Sequence, residues 1–241
     1  MKQESIFSNL TAKVFFIAMG ILFILLQIAF HPTYLQYFPK FEEFTWTHHI
    51  HGALMVSWVI MLVVQPYLIY KGKYKAHRLI GKISYGSAPL VIISMFLITK
   101  LSYLKTVNVM PFEEVAAIQS LNFVTPLNFL LFYSLAIFYR KNVFKHKRYM
   151  IGTAFTISAA IFNRLLYAIF GESIGFYAFF IAEYFGAIIL MLLLLNDLKN
   201  KVNTRPYTIV AIGLSINLFV IHSRNTEIWQ TVVRFVGDTL F

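Results

Sequence analysis

The feature of this sequence that most restricts its fold is a series of seven long apolar segments. A membrane-spanning α-helix needs about 20 mostly apolar residues. Segments of roughly that length lie at residues 14–30, 49–70, 83–104, 121–139, 149–170, 174–196 and 207–222. The connections between them are short, so consecutive helices are expected to run antiparallel. The sequence therefore predicts an all-α, polytopic membrane protein built as a bundle of seven transmembrane helices.

The composition of the 241-residue chain agrees with a membrane location. Apolar residues make up 59% of the chain and charged residues 13%, whereas a soluble domain has about 45–50% and about 25%. These values exclude a soluble globular enzyme, a disordered chain and a secreted disulfide scaffold. The chain has no cysteine, so it forms no disulfide, no thiolate-bound metal site and no covalently attached c-type haem.

The net charge of +11 is distributed unevenly along the chain. Fifteen basic residues fall in the N-terminal segment and in the loops after the second, fourth and sixth spans, against five on the opposite side. The positive-inside rule therefore predicts a cytoplasmic N-terminus and an external C-terminus. We interpret the charge as a topology signal, with no nucleic acid as partner. The expected location is the inner membrane of a bacterium, as a multi-pass protein in contact with the lipid bilayer.

The chain is predicted to form a single integral membrane domain over residues 1–241, because no Pro-, Gly- or Ser-rich linker divides it. Residues 224–241 have apolar residues at helical spacing with charged residues between them. This pattern predicts an amphipathic helix at the outer membrane interface. A continuation of the seventh span is equally compatible with it.

Polar residues inside the predicted spans indicate where a functional site would lie. Charged and strongly polar groups within a bilayer are costly and usually face the interior of the bundle. Polar stripes at steps of three and four residues occur in the second and fifth spans. The expected polar core consists of Arg164, Glu183, Asn163, Tyr167, Gln65, Trp58, Asn122 and Asn128. The alternative is that these groups only fasten the helices together by hydrogen bonds.

Two charged residues of this core are expected to form an ion pair. The fifth and sixth spans are joined by a tight turn centred near Ser173, and Arg164 and Glu183 lie at almost equal distances from it along the chain. At about 1.5 Å rise per residue, the two side chains would lie at nearly the same depth. Pairing would remove the cost of an isolated charge in the bilayer.

The histidines suggest two kinds of cofactor site. His48 and His51 are one helical turn apart at the outer end of the second span, and His222 closes the seventh span at the same level. These three residues, with an acid or water, would suit a transition metal such as zinc, copper or iron.

A b-type haem is the second interpretation. His77 and His146 open the third and fifth spans at the cytoplasmic side, and His51 and His222 form an equivalent pair at the outer side. Histidine pairs at both membrane faces suit transmembrane electron transfer, in a layout loosely similar to that of the cytochrome b561 proteins. The alternative for His77 and His146 is a position among lipid phosphates, beside their basic neighbours.

Several of these residues also form a recognisable pattern. They are His51, Gln65, the segment His-Arg-Leu-Ile-Gly at 77–81, the segment His-Lys-Arg-Tyr-Met at 146–150, and Arg164. The pattern resembles that of the uncharacterised prokaryotic membrane-protein family called domain of unknown function 2306. The resemblance covers residues 47–167 and implies a shared helical core. It implies no established activity.

Three functions are therefore open at the level of sequence. The first is a b-haem-binding redox protein that transfers electrons from a quinol or a cytoplasmic donor to the outer face. The second is a metal-dependent membrane enzyme with its site in the outer half of the bilayer. The third is a transporter, or an assembly factor of a membrane complex, with no cofactor and with a polar path through Arg164, Glu183 and the asparagines. In the second, Glu183 or a bound water would act as the base, and the catalytic residues are otherwise unknown.

Overall fold

The structure, a computed structural model, describes residues 2–241, with side chains described from residue 11 onward. Met1 and the side chain of Lys2, which the charge count above includes, lie outside the described residues. Within the described part the chain forms nine α-helices and no strand. The helices are α1 (Lys2–Phe30), α2 (Trp46–Tyr70), α3 (Tyr74–Gly81), α4 (Ser84–Thr106), α5 (Phe112–Phe138), α6 (Val143–Phe170), α7 (Tyr177–Lys199), α8 (Arg205–His222) and α9 (Glu227–Leu240).

Seven helices of the described chain are long and apolar enough to cross a membrane, namely α1, α2, α4, α5, α6, α7 and α8. In hydrocarbon the backbone polar groups find no water, so a spanning segment must satisfy them within its own helix. The predicted all-α, seven-span architecture is confirmed. The orientation of the termini stays a prediction.

Helices α5 and α6 begin six or more residues before the spans that the hydropathy pattern predicts. Helix α6 begins at Val143 instead of residue 149, because the side chain of Asn142 caps it by accepting a hydrogen bond from the backbone N–H of Lys145 at 3.1 Å. Helix α5 begins at Phe112 instead of residue 121, directly after Pro111, with two glutamates in its first turn. Acidic residues are stabilising at that end of a helix. The earlier start of α6 places Arg148 inside a helix rather than in a loop.

The chain divides into two compact units, Met1–Ser94 and Met95–Phe241, with the boundary inside α4. In the first unit α1 packs along α2, and the rings of Phe16 and Tyr67 lie 5.2 Å apart. The basic segment between α2 and α4 contains the short helix α3, so His77, which was expected to open the third span, lies on a separate helix before it. His51 Nδ1 lies 3.1 Å from the hydroxyl of Ser94, which connects α2 to the first half of α4.

The second unit has its core among α5, α6, α7 and α8. Phe132, Phe155, Leu190 and Val210 are among the buried residues that form it. Gly213 of α8 lies so close to α5 that a Cβ added there would be 2.6 Å from Phe132 Cζ. Such close packing brings the polar side chains of these helices within hydrogen-bonding distance of one another.

The C-terminal segment forms a helix of its own. Helix α9 is separated from α8 by a short 3-10 turn at Ser223–Asn225, and the side chain of Thr226 caps it. On its inner face, Trp229 Nε1 donates a hydrogen bond to Ser120 Oγ at 2.7 Å, and the hydroxyl of Tyr103 donates to Asp238 at 3.1 Å. The amphipathic segment is therefore docked on the ends of α4 and α5 within this unit and does not continue α8.

Candidate functional site

Three polar side chains of the second unit form a buried hydrogen-bonded chain across three spanning helices. Asn128 of α5 donates through Nδ2 to the carbonyl of Gly213 at 2.9 Å and to Asn217 Oδ1 of α8 at 3.1 Å. Asn217 in turn donates through Nδ2 to Glu183 Oε1 of α7 at 3.4 Å. All three residues are buried, with exposed fractions of 5% for Asn128, 1% for Asn217 and 3% for Glu183. This chain ends in a carboxyl group.

Glu183 lies six residues after the first residue of α7. At about 1.5 Å rise per residue, its Cα is about 9 Å inside the helix. An isolated charge at such a position is costly, and membrane proteins neutralise it with a partner or a proton. Glu183 is therefore the most chemically informative residue of the second unit.

The predicted ion pair between Arg164 and Glu183 is wrong. Among the described residues, the guanidinium–carboxylate pair within 4.0 Å is formed by Arg148 and Asp197. Glu183 bonds to the amide of Asn217 instead, and Arg164 Nη1 donates to the carbonyl of Ala160 at 3.3 Å. Equal depth is necessary for pairing but does not suffice, because the rotation of each helix about its axis also has to bring the two side chains together.

Asn163 and Tyr167 of the predicted polar core also lie on α6. Asn163 is 92% buried, with an exposed fraction of 8%, and its Nδ2 has no hydrogen-bond partner within the described chain. A buried donor without a partner is rare and indicates strain, an ordered water or a ligand. The hydroxyl of Tyr167 donates to the carbonyl of Gly175 at 2.8 Å, so it fastens the end of α6 to the turn before α7.

Asn122 belongs to a second polar group, nearer the first residue of α5. Its Nδ2 lies 3.2 Å from Ser102 Oγ of α4 and 3.3 Å from Gln119 Oε1, while Thr99 donates to its backbone carbonyl at 3.2 Å. Gln119 is fully buried. Each side chain of this group has a partner, so the group joins α4 to α5.

Gln65 and Trp58 lie in the first unit. Trp58 is buried, with 1% of its surface exposed. With its amide oriented to match its neighbours, Gln65 donates to the backbone carbonyl of His77 at 3.2 Å and to His77 Nδ1, and it accepts from the N–H of Gly81 at 3.1 Å. Gln65 therefore fastens α3 to α2, and three residues of the pattern that carries the family resemblance meet in this contact.

Sequence reasoning missed the contact between Arg148 and Asp197. Arg148 Nε donates to Oδ2 at 2.8 Å and Nη2 to Oδ1 at 2.5 Å, and both side chains are buried. The guanidinium also lies 3.5 Å from the centroid of the Phe144 ring. The sequence did contain an indication of this pair. Asp197 is one of only two acidic residues, with Glu4, in the segments that carry the basic loops, so it is an evident partner for one of their cations.

The histidines differ in which ring nitrogen holds the proton. His146 Nδ1 lies 2.8 Å from the carbonyl of Ala136, so that nitrogen donates and the lone pair of the neutral ring is on Nε2. His51 has the same arrangement, because the single hydroxyl proton of Ser94 goes to the carbonyl of Val91 at 2.7 Å. A donating Nδ1 and an Nε2 lone pair are usual in histidines that bind a metal or haem iron.

The remaining predicted ligands have other arrangements. Nδ1 of His77 accepts from Gln65, and Nδ1 of His48 accepts from the backbone N–H of Thr45 at 3.2 Å, so in both neutral rings the proton is on Nε2. His222 Nε2 lies 2.9 Å from the hydroxyl of Tyr184. In each predicted haem pair, one histidine has a donating Nδ1 and a lone pair on Nε2, namely His146 at the cytoplasmic side and His51 at the outer side.

No group of three or more His, Cys, Asp or Glu side chains suited to a metal ion occurs among the residues that the structure describes. His48 and His51 belong to the first unit, and His222 belongs to the second. A transition-metal site at these three residues therefore stays a prediction without structural support.

No known protein family, curated protein or solved structure matches this chain. The resemblance to the uncharacterised membrane family stays a prediction for that reason.

Proposed function

We propose that this protein is a proton-linked transporter of the bacterial inner membrane, in which Glu183 binds the transported proton. The observation that supports this proposal is the buried chain from Asn128 through Asn217 to Glu183. A carboxyl group inside a spanning helix is stable when a proton or a bound cation neutralises it. Intramembrane carboxyl groups of this kind are characteristic of proton relays in pumps and transporters.

The direction of the hydrogen bonds favours a proton over a metal cation. Asn217 presents its amide nitrogen, not its amide oxygen, to the carboxyl group of Glu183. A metal cation such as Na⁺ or Ca²⁺ requires several oxygen ligands, whereas an amide N–H donor can bond to a carboxyl oxygen in either protonation state. This geometry lets Glu183 gain and lose a proton while it keeps the hydrogen bond from Asn217.

Asn163 supplies a hydrogen-bond donor for a transported solute or a water molecule. Its buried Nδ2 donor, without a partner in the described chain, offers a hydrogen bond to a carbonyl, carboxylate or hydroxyl oxygen. It lies on α6, which packs against α7, the helix that carries Glu183. We take Asn163 as part of the path, with Glu183 as the proton-binding group.

The proposal can be tested without knowledge of the solute. Proteoliposomes adsorbed on a solid-supported membrane are exposed to a rapid change of pH, and the transient current from proton binding inside the membrane is recorded. We expect a current for the wild type, a much smaller one for Glu183→Gln and a partial one for Glu183→Asp. Glu172→Gln is the matched control, because Glu172 is an exposed glutamate in the turn after α6. A wild-type current in Glu183→Gln, or no current in the wild type, would refute the proposal.

A b-haem electron-transfer protein is the second candidate, and one observation favours it. The bond from His146 Nδ1 to the carbonyl of Ala136 orients the ring and leaves the lone pair on Nε2, as a haem ligand requires. Its partner would be a quinol or another membrane protein. This candidate predicts a red preparation with a Soret band that His146→Ala abolishes or shifts and His49→Ala leaves unchanged. A colourless wild-type preparation, purified from cells supplied with haem, would exclude this candidate.

A further inference from the structure

We propose that α3 and its flanking residues form a binding site for the headgroups of anionic phospholipids. The site consists of residues 71–83, between the end of α2 and the start of α4. Since both neighbouring helices are long and apolar enough to span the bilayer, this segment lies where lipid headgroups are found. The proposal does not depend on the role of Glu183.

The first observation is the way α3 is attached. Gln65 bonds to His77 and to the backbone N–H of Gly81, and these bonds direct one side of α3 toward α2. The helix is therefore held along the end of α2 with its opposite side exposed. A fixed helix loses little conformational freedom when a ligand binds to it.

The second observation is the charge of the exposed side. Lys73, Lys75, Arg78 and Lys82 are all exposed, and no acidic residue occurs between positions 71 and 83. An open groove of about 650 Å³ is lined by residues 72–76 and by Arg78. Clusters of four or more basic residues beside a membrane span attract anionic lipids, whereas a zwitterionic headgroup gains little from them.

The third observation separates a lipid from a free anion. Three large apolar side chains of the same segment are exposed beside the cationic groups, with exposed fractions of 52% for Tyr74, 68% for Leu79 and 60% for Ile83. Exposed apolar groups next to cations suit a ligand that is anionic at one end and apolar at the other. Inorganic phosphate has only the first of these properties.

The test uses the full-length protein in detergent and native mass spectrometry with phosphatidylglycerol, phosphatidylcholine and inorganic phosphate as probes. We expect phosphatidylglycerol to bind selectively to the wild type. The triple variant Lys73→Gln/Lys75→Gln/Arg78→Gln should bind it about a hundredfold more weakly at low salt, since each basic residue near a membrane surface contributes roughly a factor of five.

The matched control is Arg140→Gln/Lys141→Gln/Lys145→Gln, which removes the same charge from the loop before α6 and from its first turn. It should keep phosphatidylglycerol affinity within about threefold of the wild type. The variant Leu79→Ser/Ile83→Ser should weaken phosphatidylglycerol binding and leave any phosphate binding unchanged. Equal losses in the two triple variants, no loss in the first, or displacement of the lipid by millimolar phosphate would refute the site.

Discussion

Arg148 and Asp197 form a two-point ion pair that joins the beginning of α6 to the end of α7. The two hydrogen bonds measure 2.8 Å and 2.5 Å, and the side chains have exposed fractions of 8% and 2%. Arginine and carboxylate pair in this way because the planar guanidinium presents two parallel N–H groups. The contact ties α6 to α7, the helix that carries Glu183.

The first prediction concerns the stability of this pair. Arg148→Met or Asp197→Leu alone leaves one buried charge without its partner, so each should lower the free energy of unfolding by about 3–5 kcal/mol. The double variant should recover most of the loss, because it leaves no unpaired charge. Unfolding in SDS, followed by tryptophan fluorescence, measures these values. Arg140→Met, at an exposed arginine, serves as control. A double variant no more stable than both single variants would contradict the interpretation.

The second prediction tests the close approach of α8 to α5. A Cβ at Gly213 would lie 2.6 Å from Phe132 Cζ and 2.7 Å from Asn128 Oδ1. Gly213→Ala should therefore cost about 1–3 kcal/mol through overpacking and should reduce the pH-jump current by displacing Asn128. Gly86→Ala, where nothing lies within 4 Å, should be as stable as the wild type or slightly more so, because alanine favours helices. Equal stability of the two variants would show that the helices separate easily.

The third prediction separates function from stability at Asn163. Since its buried donor has no partner in the described chain, Asn163→Leu should leave stability unchanged or raise it by about 1 kcal/mol. The same change should lower the pH-jump current if Asn163 belongs to the proton path. Asn128→Leu is the comparison, because Asn128 makes two hydrogen bonds and its loss should destabilise the protein by about 1–3 kcal/mol. An Asn163→Leu variant that is as unstable as Asn128→Leu would show that Asn163 has an ordinary structural role.

The fourth prediction concerns orientation in the membrane. The chain has no cysteine, so single cysteines can be introduced without background labelling. Cysteines at Lys75 and Lys145 should resist a membrane-impermeant thiol reagent in intact cells, whereas one at Lys105 should react, because the basic loops are expected in the cytoplasm. Labelling of the permeabilised cells verifies that each cysteine is accessible. Labelling of the cysteine at position 75 in intact cells would show that the protein has the opposite orientation.

Much of the site was predictable as a set of residues but not as a set of contacts. The cost of polar groups in a bilayer indicated Glu183, Asn128 and Asn163, and all three are buried. Asn217, which connects Glu183 to Asn128, was missed, although the cost of an amide within an apolar span applied to it as it did to Asn128. Asp197 was missed because it lies at the end of its span, beside residues that were counted as loop.

Hydropathy along the chain was enough to locate seven segments that are long and apolar enough to cross a membrane, although not their exact ends. This follows because hydrocarbon forces each apolar run of about 20 residues into a helix, whatever its neighbours are. Which polar side chains meet depends on how the helices pack, as the two arginines of α6 demonstrate. Arg148 and Arg164 both had an acid at matching depth on α7; in the described structure Arg148 pairs with Asp197, whereas Glu183 bonds to Asn217. Depth follows from position along the chain, whereas the direction of a side chain depends on how each helix is rotated when its neighbours pack against it.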